Sequence, residues 1–86
     1  MREKVGLERF RGLLSHSPDK GSPICQLSPH DGGWILIYGD SILMGARGET
    51  RIFKTMDAAF RYVRDNVVSH IKRSVRLTVF IEEQLF

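Results

Sequence analysis

Apolar positions along this 86-residue chain pass from a strand-like to a helical period near Thr55. From Ile24 up to it, the pattern is that of strands. Trp34 to Tyr38 is apolar throughout, and Gly39-Asp40 follows as a two-residue turn with glycine first, as a type II′ hairpin prefers. Ile42 to Arg47 reads as the return strand, and Gly48-Glu49 turns the chain again into Thr50 to Lys54. Upstream, Ile24 to Ser28 reads as a strand closed by Pro29, and His30 to Gly33 as a turn. After Thr55 the period becomes helical. Met56, Ala59, Phe60, Val63 and Val67 fall at i, i+3, i+4, i+7 and i+11, so they predict an amphipathic helix to about Val68. Thr55 suits its N-cap, and Asp57 places a carboxylate in the first turn. Val75 to Glu83 alternates as a last strand, which points Glu82 and Glu83 to opposite faces.

At the N-terminus, Leu7, Phe10 and Leu14 sit at helical spacing, with Gly6 and Gly12 weakening the helix. Ser15 to Pro23 has a linker composition. The expected organisation is residues 1–20 as an N-terminal amphipathic helix or partly ordered tail plus linker, and 21–86 as a single α+β domain. The expected fold class is α+β: a small antiparallel sheet of about four to five strands with one amphipathic helix packed on one face, in the order (α)-β-β-β-β-α-β.

The hairpin registers carry a further consequence. They put Ile35, Ile37, Met44 and Phe53 on one face, where the helix stripe is expected to lie. Trp34, Leu36, Leu43 and Ile52 then fall on the other face, a large apolar patch that needs cover. The N-terminal helix and a second copy of the chain are the two candidates for that cover.

Composition fits an ordinary small domain, 42% hydrophobic and 27% charged, with no apolar run near the ~18 residues of a membrane span. The single cysteine, Cys25, forms no internal disulfide, and no signal-peptide pattern opens the chain, so a cytoplasmic location is expected. Net charge is only +3, but it is uneven. Arg51, Lys54, Arg61, Arg64, Lys72, Arg73 and Arg76 face only Asp57 and Asp65 within residues 51–76, a local +5. Basic concentrations of this kind attract phosphates.

Catalytic chemistry finds little support. Cys25, His30 and Asp31 are close in sequence, but no second cysteine or paired Cys/His spacing accompanies them. No phosphate-binding glycine loop occurs. The expectation is no enzyme, no metal, no cofactor, no small-molecule substrate and no membrane partner.

Two functional readings follow. The first is a protein-interaction module that self-associates, or takes another protein, through the apolar sheet face of Trp34, Leu36, Leu43 and Ile52. The alternative is a nucleic-acid-binding accessory or regulatory protein, with Arg51, Lys54, Arg61, Arg64, Lys72, Arg73 and Arg76 at phosphates. Three strands and a helix opening T-M-D-A-A-F-R-Y resemble plant AP2-type domains and the arm-binding domains of phage integrases over roughly residues 33–64, families that lay a three-stranded sheet in the DNA major groove. The strands here, WILIY and SILMGAR, lack the Arg- and Trp-rich reading face of those families, so no contact residue is carried over.

Overall fold

The computed structural model describes residues 2–18 and 20–81. Five strands form one sheet: β1 Glu3–Val5, β2 Ile24–His30, β3 Gly33–Tyr38, β4 Ser41–Leu43 and β5 Arg76–Val79. Their order across the sheet is β1-β4-β3-β2-β5. The α+β class holds, with a correction: the sheet is mixed. The hairpins β2-β3 and β3-β4 are antiparallel, whereas β1 pairs parallel to β4 and β5 parallel to β2. Helical crossovers are the cause. A helix carries the chain the length of the sheet and returns it in its original direction, which makes the strand it feeds parallel. Helix α1, Leu7–Ser15, follows β1 and precedes β2. Helix α2, Met56–Val63, continues through a π-helical segment, Arg64–Val68, and α3, Ser69–Ile71, before β5.

The turns follow their local chemistry. Asp31 and Gly32 both have positive φ, 49° and 80°, the type I′ arrangement that favours Asp-Gly in a two-residue hairpin. At the next hairpin only Gly39 is positive, as type II′ requires. The Thr55 side chain caps α2 by accepting from the Ala58 N–H at 3.1 Å. Lys72 ends the helical stretch in the left-handed region at φ 55°, a conformation that costs a side-chain-bearing residue about 1 kcal/mol.

Two expected elements differ. Residues 50–54 form no continuous strand. They touch the sheet at two isolated bridges, Met44 with Thr50 and Trp34 with Phe53. Beyond Ile81, the expected last strand lies outside the described residues.

Both helices pack on the same face. Phe10 and Leu14 of α1 share one buried core with Ala59 and Val63 of α2, with Val67, and with Val5, Cys25, Leu27, Leu36, Leu43 and Phe53 of the sheet side. The expected facing is therefore corrected. Trp34, Leu36 and Leu43 lie under the helices, and Ile35 and Ile37 lie on the face without them. Strand β3 is apolar on both sides and cannot choose a face. Its neighbours choose: β2 sets Cys25 and Leu27 against Gln26 and Ser28, and β1 sets Val5 against Lys4.

Helix contacts come partly from arginines. Arg11 donates from Nε to the Asn66 carbonyl, tying α1 to the π-helical segment. That segment is also held by Asn66 Nδ2 donating to the Tyr62 carbonyl and Ser69 Oγ donating to that of Asp65.

A Cβ on Gly33 would lie 2.5 Å from Ile52 Cγ2 and 2.6 Å from the Phe53 carbonyl oxygen. Gly33→Ala is expected to break the Trp34–Phe53 bridge and lower stability by about 1–3 kcal/mol in urea unfolding. Lys72→Gly, by contrast, is expected to raise it by up to about 1 kcal/mol.

Candidate interaction surface

Helix α2 packs against β3, and its outer flank faces β5, the outermost strand on that side of the sheet, across a groove. Ala59, Val63 and Val67 reach the core. Met56 and Phe60, one turn apart on the flank, do not. They are 46% and 56% exposed, which corrects the expectation that the whole stripe is buried. The sheet ends at β5, so among the described residues no strand lies beneath that flank. A groove of about 550 Å³ opens there, with Leu27 and Val63 at its base, Met56, Phe60 and Val68 along the helix, and Val75, Leu77 and Val79 along the strand. Its lining is largely apolar, with Asp57, Arg64 and Ser74 as the polar contributors. Val79, Phe80 and Ile81 add 41%, 49% and 79% exposure at the same edge.

The sequence-derived interface residues sit elsewhere. Leu36 and Leu43 are fully buried beneath the helices, and Trp34 is half-buried with them. Ile52 alone is exposed, on the opposite face beside Gly33. The four do not form a common surface. Sequence reasoning missed the Met56–Phe60 flank because a helical stripe read alone does not reveal where the underlying sheet stops.

The seven basic residues do not gather either. Arg51 lies with its guanidinium carbon 4.8 Å from the Tyr62 ring centroid and 5.4 Å from that of Phe53. Those two rings meet at 5.1 Å, so Arg51 packs as a cation on an aromatic pair. Arg64 bonds Asp65 at 2.9 Å, which holds that carboxyl below its ordinary value. Arg73 donates to the carbonyls of Leu14, Ser15, Ser17 and Gly21 at 3.0–3.3 Å. A cation there meets the negative end of the α1 dipole and fixes the linker after it. Arg76 donates to the Ser22 carbonyl at 3.2 and 3.4 Å. Lys54, Arg61 and Lys72 are exposed. Arg51 and Lys54 precede the helix and Lys72 to Arg76 follow it. The intervening 16 residues, 56–71, span about 24 Å.

Cys25 and His30 also part. They occupy opposite faces of β2, about 16 Å apart along the strand. Cys25 is fully buried, and desolvation pushes its thiol up to about 12. Among the described residues, no group of three or more His, Cys, Asp or Glu side chains is placed to hold a metal ion, and no helix is long and apolar enough to cross a membrane. Comparison with protein-family models, with curated proteins and with solved structures finds no significant match.

Arg73→Ala is expected to release α1 and the linker together, lowering stability by about 1–3 kcal/mol, with a smaller loss for Arg73→Lys. Urea unfolding of the pair checks it. The raised thiol pKa makes Cys25 favour the folded state below pH ~9, an advantage lost as pH rises from about 9 through about 12. Native protein at pH ~8 is therefore expected to leave Cys25 unlabelled by thiol reagents until denaturant is added.

Proposed function

We propose that this chain is a non-enzymatic protein-interaction module that self-associates, and that its working surface is the α2–β5 flank. The observation that carries the reading is where the exposed apolar residues fall. Met56, Phe60 and Val79 line one groove between α2 and the edge strand, and the exposed Phe80 and Ile81 follow that strand directly, with Ile24 and Ile52 exposed besides them. Contiguous apolar surface of this kind marks sites of association.

The opposite edge supports the reading by contrast. Strand β1 is only three residues long, carries Glu3 and Lys4, and has its Glu3 within 3.6 Å of Arg9. Short, charged edge strands are how sheets discourage pairing. Strand β5 is four residues long and carries one charge, Arg76, but residues 77–81, which run through and past it, carry none.

Nucleic-acid binding is the weaker reading. Arg51, Arg64, Arg73 and Arg76 already have partners within the fold, and the seven cations are spread before, along and after a long helical stretch.

Sedimentation velocity of the native chain from low micromolar to high micromolar concentration tests the proposal. The expected result is a weight-average mass rising toward twice that of the chain. Phe60→Glu, which places a carboxylate on the flank outside the core, is expected to weaken the association by at least about tenfold while leaving the fold intact. A native mass constant at one chain across the range contradicts the proposal.

A further inference from the structure

Resting on the self-association reading, we propose how the two copies join: β5 pairs with β5 of a second copy, antiparallel about a two-fold axis perpendicular to the sheet. Arg76 and Phe80 donate their N–H groups to the Pro23 and Leu27 carbonyls of the β2 side. By the two-residue alternation of a strand, the N–H and carbonyl groups of Leu77 and Val79 point outward, away from β2. Among the described residues they have no strand partner and form an open backbone ladder on an apolar edge.

A second copy fits this edge for three reasons. An antiparallel pair of identical strands closes on itself and leaves no new edge at the junction, whereas a head-to-tail contact would propagate. Residues 77–81, Leu-Thr-Val-Phe-Ile, carry no charge, so no like charges oppose each other across the axis. The perpendicular axis keeps the helices of both copies on one face of the joined sheet. Met56 and Phe60 of each copy then close over the groove that is open at its β5 side.

Register follows from the exposed residues. Centring on Val79 pairs Val79 with itself and Leu77 with Ile81 of the other copy. That arrangement uses Ile81, the most exposed of the apolar residues at 79%. Centring on Thr78 would instead set Arg76 opposite Phe80 and Ile81 opposite Val75, outside β5. The joined sheet has twice the five strands of one copy.

Two variants test the geometry. Val79→Pro removes an outward N–H and none of the bonds to β2. It is expected to stay folded by circular dichroism and to weaken association by at least about tenfold. Val79→Cys places two thiols across the axis at a Cα separation of about 5.5 Å, within disulfide range. In a glutathione redox buffer it is expected to form covalent dimers, while Glu49→Cys, on the Gly48 turn, does not. A native chain that dimerises but whose folded Val79→Pro variant dimerises equally well overturns the β5 pairing and leaves self-association standing. Val79→Cys cross-linking no faster than Glu49→Cys overturns it too. A native chain that never dimerises contradicts the self-association reading itself.

Discussion

Both helices cover one face of a five-stranded sheet, and most of the molecule's surface follows from that. Helix α1 shares the core with Val5 and Leu43 on the β1-β4 side, and α2 packs on β3 and faces β5 across a groove. Arg11 and Arg73 join α1 to the helical stretch that follows α2 and hold the two as one layer. The interior is then supplied by Phe10, Leu14, Leu27, Leu36 and Leu43, all at or near zero exposure. With the sheet ending at β5, α2 overhangs it. Among the described residues no strand lies beneath its outer flank, and Met56 and Phe60 are about half exposed.

The arginines of the basic C-terminal half take part in the fold itself. The cations nearest the core are engaged within the fold. Arg73 holds the carbonyl end of α1, Arg76 bonds the Ser22 carbonyl, and Arg51 lies on the Tyr62 and Phe53 rings. Arginine suits such places because its planar fork reaches several carbonyls or stacks on an aromatic face. Charge in this half of the chain is thus largely fold chemistry. What the surface offers in quantity is apolar side chain and unpaired strand backbone, both at β5.

Much of the fold was legible in the sequence because local chemistry agreed with it. Thr55 capped α2, the glycines and Asp31 set two hairpin turns, and Ala59, Val63 and Val67 reached the core as their spacing requires. The parallel pairings were not legible. Strand β1 is three residues, Glu-Lys-Val, too short to show alternation, and strand direction depends on crossovers rather than on any residue pattern. The facing of β3 was not legible from β3 alone, since WILIY is apolar on both sides. The candidate surface was hidden for a related reason: Phe60 reads as core by period, and only the position of the sheet's edge exposes it.

If copies of this chain meet at the outward backbone of β5, the amides of that backbone must sense association. Amide hydrogen exchange at Leu77 and Val79, followed by NMR at low micromolar and millimolar protein, reads them directly. Both amides are expected to exchange fast in the dilute sample and to be strongly protected in the concentrated one, with the Arg76 and Phe80 amides protected in both. Equal exchange of Leu77 and Val79 at the two concentrations, in a chain that self-associates, would contradict the β5 junction.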